Sequence, residues 1–328
     1  MRAFEYATPR TAIEAVELLA TKPGAAVLAG GTDLLALMKD DVARPERLVD
    51  VKGIPELRAI RADAQGLRIG AAVTMRELSE NATVRRSYPA IVQAIEGIRS
   101  PQIRERGTLA GDLCQRPRCW YFRAGFGLLA QRDGKSMVVD GDNRYHAILG
   151  NAGPAYYVSA SSLAPALLAL GARVAIQGVQ LSSTMVLGSF FVTPRQEGER
   201  EIALAPDDLI TEIVLPAPDG SATATYEVRQ REALDWPLAA ASVKLDLEGG
   251  VVRRARIVLG HVAPVPWVAQ AAEKLLAGKT ITEDTAAQAG RAAVEGARAL
   301  SRNGYKIQLA SVAVKRALLR AAGKEVPA

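Results

Sequence analysis

The chain has 328 residues, of which 49% are hydrophobic, and a formal net charge of +6. This length is enough for two domains with a sizeable core, and the mild basicity comes without a zinc-finger spacing or an aromatic RNA-binding motif. No apolar run reaches membrane-spanning length, and the first eight residues lack the apolar core of a signal peptide. Two cysteines are too few for a disulfide framework. We therefore expect a cytoplasmic protein with neither a nucleic-acid nor a membrane partner.

The first fifty residues predict a small α/β unit. Thr8 and Pro9 are typical of a helix start, because a capping hydroxyl precedes a proline at the first helical position. Ile13 begins the apolar face that we expect this helix to bury. Apolar runs at 25–29 and 48–51 predict two strands. Strands and helices that alternate in this way are typical of a layered α/β arrangement.

The connection after the first of these strands reads Gly30-Gly31-Thr32-Asp33, and helical apolar spacing resumes over 34–38. Gly30 and Gly31 can adopt positive φ and let a ligand approach the backbone. Unpaired N–H groups at such a junction suit a phosphate, and Thr32 can donate its hydroxyl. Asp33 brings negative charge, so we expect it to cap the helix by accepting N–H bonds from the first turn. Taken alone, the motif favours a structural turn with nothing bound.

The middle of the chain predicts short strands and helices. Residues 63–66 lie between two apolar runs and predict a hairpin. The segment 216–221, which is rich in proline and glycine, is the best candidate for a linker. The other elements predicted here are helices at 75–78, 91–98 and 164–170 and strands at 155–159, 173–176 and 213–215.

Beyond the linker, strands precede helices, which predicts an α+β domain. Gly249 and Gly250 separate two of the strands and predict a hairpin turn. The predicted elements are strands at 226–229, 240–247 and 254–260 and helices at 269–276, 284–300 and 306–322.

A second tight turn lies within residues 102–113 and centres on Thr108 and Gly111. Alone, it also favours a structural loop. Paired with the first glycine turn and followed by the block after the linker, it resembles the FAD-binding medium subunit of molybdenum hydroxylases. This is the xanthine dehydrogenase, carbon monoxide dehydrogenase and aldehyde oxidoreductase group, and the periplasmic aldehyde oxidoreductase type resembles the chain most. Other segments similar to the family are 167–172, 208–213, 260–267 and 303–306.

The resemblance implies an α+β fold. A two-lobed FAD-binding domain of the PCMH type is followed by a C-terminal α+β domain, in which helices pack on a three-stranded antiparallel sheet. The expected boundaries are 1–55 for a small α/β lobe, 56–218 for a second lobe with a mixed or antiparallel sheet, and 222–328 for the C-terminal domain.

The resemblance also implies a cofactor site. In the family, the first turn cradles the diphosphate of non-covalent FAD and the second approaches the flavin half, and neither supplies a catalytic residue. The implied cofactor contacts are Leu28, Ala29, Gly30, Gly31, Thr32, Asp33, Leu34, Thr108, Ala110, Gly111, Asp112, Ile210 and Lys306. The diphosphate contacts among them are Gly30, Gly31 and Thr32, and the flavin-side contacts are Thr108, Gly111 and Asp112.

Three positions depart from the family's pattern. Ala110 stands where the first glycine of a pair is usual, so its methyl group is expected to hold the backbone slightly away from the cofactor. Asp112 replaces an asparagine and so loses an amide donor, and Ser162 replaces an aspartate. The resemblance therefore predicts the fold more firmly than the cofactor geometry at the second turn.

Residues 114–155 form an insert relative to the simplest family members, and some relatives carry a four-iron cluster there. Such a cluster needs four cysteine thiolates, whereas this chain has only Cys114 and Cys119. Leu128, Leu129 and Ser136 lie where further ligands are expected. We expect that the insert persists without the cluster and that the two reduced thiols remain as packed remnants of the site.

The two histidines and the arginines near the insert are expected to be structural or solvated. His146 and His261 cannot form a three-histidine metal site or a convincing catalytic triad. We expect most of the arginines to face water and a minority to meet an acidic partner surface. These arginines are Arg99, Arg104, Arg106, Arg116, Arg118 and Arg123.

Three functions are consistent with these residues. The resemblance implies an electron-transfer flavoprotein subunit, which receives electrons through a two-iron small subunit while a molybdenum-binding large subunit oxidises an aldehyde or N-heteroaromatic substrate. The motifs contain no acid–base pair, which fits a protein whose cofactor carries the chemistry. The alternatives are a self-contained flavin oxidase, often with a covalent flavin, and a scaffold subunit that has lost FAD. Export together with a partner subunit would place the complex in the periplasm.

Overall fold

The computed structural model describes residues 1–231 and 235–326, and it has a mixed α+β fold. Within those residues, no helix has both the length and the apolar character needed to cross a bilayer. The strands are β1 Glu5–Ala7, β2 Ala25–Leu28, β3 Arg47–Asp50, β4 Ile60–Asp63, β5 Gly66–Gly70, β6 Gln131–Arg132, β7 Lys135–Ser136, β8 Arg173–Gln177, β9 Ser182–Val186, β10 Leu209–Pro216, β11 Ala222–Val228, β12 Ala239–Glu248, β13 Val251–Gly260 and β14 Trp267–Val268. The helices are α1 Ala12–Ala20, α2 Leu34–Lys39, α3 Met75–Glu80, α4 Ala82–Ser87, α5 Pro89–Gly97, α6 Pro101–Arg106, α7 Leu109–Cys114, α8 Trp120–Arg123, α9 Ala164–Ala169, α10 Leu187–Phe190, α11 Gln270–Leu276, α12 Glu283–Ala293 and α13 Tyr305–Ala321, with a 3₁₀ turn at Pro55–Arg58.

The N-terminal unit is a three-stranded parallel sheet in the order β1-β3-β2, with α1 packed beside it. The predicted helix start at Thr8 and Pro9 is wrong, because Thr11 caps α1 by accepting the N–H of Glu14 at 3.1 Å. The helix buries Ala12, Ala15, Val16 and Leu19, so the expected burial of Ile13 is wrong, and Ile13 is 58% exposed. The parallel sheet leaves the ends of β2 and β3 on the same edge, where β2 leads into the first glycine turn.

The second unit is an antiparallel sheet in the order β4-β5-β10-β8-β9. The predicted strand at 155–159 is absent, because the backbone of this segment bonds to two different partners instead of one ladder. Tyr156 accepts the N–H of Ala147 at 2.8 Å, and Ser159 donates to Ala263 at 2.9 Å. The segment therefore joins the insert to the C-terminal domain instead of extending a sheet.

The C-terminal unit is an antiparallel sheet in the order β11-β12-β13-β14, with α11, α12 and α13 packed on it. The predicted turn at Gly249 and Gly250 is confirmed, and both residues have positive φ. Two predictions need correction: β14 adds a short fourth strand, and the helix expected at 284–300 ends at Ala293. Gly296 follows this end with a φ of +79°.

The side chain of Lys306 fastens the insert to the C-terminal unit. Its buried ammonium group donates to the carbonyl oxygens of Tyr145 and His146 at 3.1 Å each and of His261 at 2.7 Å. Burial lowers the pKa of Lys306 to about 7. All three N–H donors of the ammonium group have acceptors, so the group acts as a structural clamp. We call this boundary between the insert and the C-terminal unit the seam. Asn303 reinforces it by donating to the carbonyl of His146 at 3.2 Å.

Both histidines of the seam are buried and uncharged. Burial, with a further contribution from the nearby Lys306, lowers the pKa of His146 to about 4 and that of His261 to about 3. His261 also has a φ of +61°, and its Nε2 has no hydrogen-bond partner among the described residues. Both histidines lie where the insert meets the C-terminal unit, and their structural role stays a prediction from the sequence.

We predict acid-sensitive stability from these two groups. The unfolded chain takes up protons near pH 6.5 while the folded chain does not until about pH 4 or 3, so stability falls as pH drops below 6.5. The loss between pH 7 and pH 5 is about 2 kcal/mol per histidine. His261→Asn keeps a residue that tolerates positive φ and removes one titration. Urea unfolding between pH 5 and 7 should show a shallower pH slope in this variant, and an unchanged slope contradicts the prediction.

Candidate functional site

The first glycine turn leaves β2 at a point where the backbone passes very close to the second turn. Gly31 has a φ of +71°, and its carbonyl accepts the N–H of Leu35 at 3.2 Å. A Cβ atom added to Gly30 would lie 1.7 Å from the carbonyl oxygen of Arg106 and 3.2 Å from the Cα of Gly107. Only glycine allows this approach. The two turns found in the sequence therefore meet in space.

The second turn is a short helix pair, and not the loop that the sequence suggested. α6 ends at Arg106, and Thr108 caps α7 by accepting the N–H of Gly111 at 3.1 Å. The carbonyl of Gly107 accepts the N–H of Met75 at 2.9 Å, which fixes the joint between the helices. The second turn is thus a rigid wall that is anchored to the central unit.

The two turns differ in the use of their backbone amides. In the first, no amide of residues 30–33 donates a hydrogen bond to any other described residue. In the second, Leu109 donates to Val73 at 2.9 Å, Ala110 to Ala71 at 3.1 Å and Asp112 to Thr108 at 2.9 Å. The first turn can therefore offer N–H groups to an anion, whereas most amides of the second are already satisfied.

Two cavities meet at these turns, and Thr32, Asp33, Thr108 and Gly111 line both. The nucleotide cavity, as we name it, has a volume of about 350 Å³ and runs along β2 and the start of β10. The ring cavity has a volume of about 200 Å³ and opens between α5, α7 and residues 235–237 of the C-terminal unit. Other residues of the nucleotide cavity include Ala29, Gly30, Gly31, Leu34, Ala110, Arg116, Arg200 and Ile210, and those of the ring cavity include Ile98, Arg99, Asp112, Ser162, Arg229, Trp236 and Pro237.

Two residues expected to contact the cofactor lie elsewhere. Leu28 is absent from the lining of both cavities, because strand alternation turns it toward Met38 and Leu48 in a small apolar cluster. Lys306 also lines neither cavity, since its ammonium group is held by the three carbonyl oxygens of the seam. The other eleven predicted residues line at least one of the two cavities.

The capping role predicted for Asp33 is wrong. Its side chain makes no capping bond to α2; instead, its carboxylate accepts the backbone N–H of Arg116 at 2.8 Å. The guanidinium groups of Arg123 and Arg118 lie 2.7 and 3.1 Å from the same carboxylate. The two guanidinium groups neutralise Asp33, which removes the objection that it brings charge to an anion site. They also fasten the glycine turn to the insert.

The departures at the second turn also have structural explanations. Ala110 lies within α7 and donates its N–H to the carbonyl of Ala71 at 3.1 Å, and the effect of its methyl group on the cofactor stays a prediction. Asp112 is buried, which raises the pKa of its carboxyl group, and both its oxygens act as acceptors. They receive the N–H groups of Ser162 at 3.3 Å and Leu163 at 3.0 Å, together with the hydroxyl of Ser161. Asp112 thus anchors the start of α9.

The expectation that most of the arginines are solvated is wrong for those in the insert. Arg116, Arg118 and Arg123 have side chains that are only 28%, 29% and 16% exposed. Arg116 lies 2.5 Å from Glu201, and the guanidinium of Arg118 stacks on the ring of Trp236 at 4.6 Å. These arginines therefore form ion pairs and ring-stacking contacts within the fold.

The cysteines occupy two separate environments. Cys114 lines the nucleotide cavity and packs against the main core, and burial raises the pKa of its thiol to about 12. Cys119 packs against an apolar cluster that contains Leu128, and its Sγ lies 3.2 Å from Nε2 of His146. Burial also raises the pKa of Cys119. Such thiols are protonated and have packing roles.

Free backbone amides thus lie where two elongated cavities meet, an arrangement that can accommodate a dinucleotide. A family model described as "FAD binding domain in molybdopterin dehydrogenase" matches residues 2–218, and one described as "CO dehydrogenase flavoprotein C-terminal domain" matches 224–321. The chain therefore belongs to the FAD-binding subunits of the molybdenum hydroxylases. The family and the α+β fold class predicted from the sequence are confirmed.

Individual relatives support this assignment over nearly the whole chain. The aldehyde oxidoreductase FAD-binding subunit PaoB of Escherichia coli (strain K12) is 34% identical, with 84% of this chain and 86% of that protein covered. The carbon monoxide dehydrogenase medium chain of Hydrogenophaga pseudoflava is 30% identical, with 96% of each covered. Among solved structures, quinoline 2-oxidoreductase from Pseudomonas putida 86 superposes with a TM-score of 0.76 at 25% identity and 98% coverage of both chains.

The residues present fit FAD. The free amides at 30–33 suit its diphosphate, the nucleotide cavity offers an apolar wall along β2 and β10, and the ring cavity offers Ile98 and Trp236. Sequence reasoning missed Arg200, Trp236 and the residues beside it, because they are far from both turns in the chain. The only sequence signal for Trp236 was the likeness of the last third of the chain to the family, and Arg200 lies outside that part and had no such signal.

We predict that Gly30→Ala separates the two turns. Since the new Cβ would fall 1.7 Å from the carbonyl of Arg106, the backbone must shift, at a cost of about 1–3 kcal/mol of unfolding free energy. Affinity for FAD should fall at least tenfold. Gly53→Ala is the matched control, because nothing lies within 4 Å of its added Cβ. Urea unfolding and flavin fluorescence titration measure both effects, and equal behaviour of the two variants contradicts the prediction.

We also predict that Asp33→Asn destabilises the protein by about 2 kcal/mol. The change leaves the half-buried Arg118 and Arg123 without their carboxylate, and partial exposure keeps the loss below that of a fully buried pair. Asp40→Asn, at the other end of α2, removes an exposed carboxylate and should stay within about 0.5 kcal/mol of wild type. Chemical denaturation distinguishes these outcomes. A loss below about 0.5 kcal/mol for Asp33→Asn would show that the carboxylate does not fasten the turn.

Proposed function

We propose that this chain is the electron-transfer flavoprotein subunit of a molybdenum hydroxylase that oxidises an aldehyde or an N-heteroaromatic compound. Its partners are a large subunit that carries the molybdenum cofactor and a small subunit with two-iron clusters. The observation that carries the proposal is the convergence of Gly30 and Gly107, which joins the nucleotide and ring cavities at a row of free amides. FAD, when bound, supplies the redox chemistry.

The chain's own residues position the cofactor. Gly30, Gly31 and Thr32 hold the diphosphate through their free amides, while Thr108 and Gly111 form the wall between the two cavities. The proposed domain boundaries are 1–55, 56–218 and 222–328. They are supported by the three larger sheets of the described residues, which lie between Glu5 and Asp50, Ile60 and Pro216, and Ala222 and Val268; the small β6-β7 sheet lies within the insert.

Relatives with known names support the substrate class. PaoB belongs to an aldehyde oxidoreductase, and other similar proteins are the FAD subunit of nicotinate dehydrogenase from Eubacterium barkeri and a subunit of caffeine dehydrogenase from a Pseudomonas strain. PaoB shares the highest identity of these three. We therefore favour an aldehyde over a heterocycle. The cellular compartment remains a prediction from the sequence, either the cytoplasm or the periplasm by export with a partner.

Two features argue against the alternatives. A self-contained oxidase with covalent flavin needs a nucleophile near the flavin ring, and the described lining of the ring cavity contains neither cysteine nor histidine. A scaffold without FAD has no reason to keep the glycine contact and the free amides, because both are costly unless a ligand binds.

We also propose that the insert carries no four-iron cluster, since Cys119 packs beside Leu128 and away from the core that holds Cys114.

Affinity purification of the tagged chain from the cells that produce it tests this function. We expect FAD, molybdenum and iron to co-elute with two further subunits, and the complex, but not the isolated chain, to oxidise benzaldehyde with an artificial acceptor. Acid precipitation should release the flavin into the supernatant. A flavin that stays in the pellet supports the oxidase instead, and a colourless complex supports the scaffold.

A further inference from the structure

Arg200 is a cation that lines the nucleotide cavity. Its guanidinium group makes no hydrogen bond or ion pair with any other described residue, and its Nε is buried. The neighbouring Glu201 does not neutralise it, because the Glu201 carboxylate pairs with Arg116 at 2.5 Å. Among the described residues, Arg116 and Arg200 are the arginines that line this cavity, and only Arg116 is paired with a carboxylate.

The other acids of the nucleotide cavity are already engaged. Asp33 binds the backbone of Arg116 and the guanidinium groups of Arg118 and Arg123. Asp208 accepts the N–H of Ala205 within its own turn at 3.1 Å. A half-buried guanidinium without a counter-charge is partly desolvated at a cost, and an anionic ligand would offset that cost.

The backbone around Arg200 is fixed in place. Val192 donates to the carbonyl of Glu201 at 3.0 Å, and Ala203 donates to the carbonyl of Phe190 at 2.7 Å. These bonds form a bridge between Phe191 and Ile202 at the edge of the core. The base of the arginine side chain is therefore held against the cavity wall, which lowers the entropy lost when its head group binds a ligand.

We propose that Arg200 binds the diphosphate of FAD and makes the chain select ADP-bearing dinucleotides over shorter flavins. The proposal rests on the assignment of the nucleotide cavity to the ADP half of the cofactor. Arg200 and the free amides at 30–33 line the same cavity, and both are donors that favour phosphate oxygens. The recognised group is the diphosphate, so ADP alone should bind while riboflavin should not depend on Arg200.

Titration of the flavin-free full-length chain with FAD, ADP and riboflavin tests the proposal. Arg200→Gln should raise the dissociation constants of FAD and ADP by roughly ten- to hundredfold, which is the effect expected for a lost charge-assisted hydrogen bond. The dissociation constant of riboflavin should change less than twofold. Arg200→Lys keeps the charge and should lose less affinity than the glutamine variant, which separates the ligand contact from any folding defect.

Arg195→Gln is the matched control, because Arg195 is an exposed arginine of the same segment. It should bind FAD and ADP as the wild type does. The proposal is overturned if Arg200→Gln binds FAD normally, if Arg195→Gln loses as much affinity, or if riboflavin weakens in parallel with FAD. If the wild-type chain binds neither FAD nor ADP, the cofactor assignment itself is overturned. This result differs from the failure of the Arg200 proposal, in which the wild type and Arg200→Gln both bind FAD normally.

Discussion

The close approach of Gly30 to the carbonyl of Arg106 is the contact on which the site depends. It brings a turn from the parallel sheet of the first unit against a helix pair of the second unit. Because the second turn satisfies most of its own amides, it acts as a wall, and the first turn keeps its amides free for a ligand. The two glycine turns therefore have different roles. The second turn is capped by its own helix and forms a wall, whereas the first turn is not capped and can offer its amides to a ligand.

The arginines of the insert support this arrangement through ion pairs and ring stacking. Arg118 and Arg123 neutralise Asp33, and Arg118 also stacks on Trp236 of the C-terminal unit. A single set of arginines thus links the glycine turn to the residues that wall the ring cavity. The clamp of Lys306 on three carbonyl oxygens fixes the opposite side of the insert. In this chain the insert holds the domains around the site. Its buried charged side chains can do this because each of them is paired.

The sequence predicted the parts of the site that depend on local backbone chemistry. Gly30, Gly31 and Thr108 were found because turn residues and capping hydroxyls leave a local pattern. The role of Asp33 was mispredicted, because its partners Arg118 and Arg123 lie in a distant segment and capping was the only local alternative. Arg200 and Trp236 were missed for the same reason. Long-range pairing of charges cannot be inferred from spacing along the chain, whereas strand and helix patterns can.

Residue-resolved hydrogen–deuterium exchange of the purified chain, with and without FAD, tests the central claim most directly. The account predicts fast exchange at the amides of residues 30–33 without FAD and strong slowing when FAD is bound. The amides of residues 109–112 should be slow in both states, because they already have acceptors in the protein. Protection by FAD at 109–112 with no change at 30–33 would contradict the account.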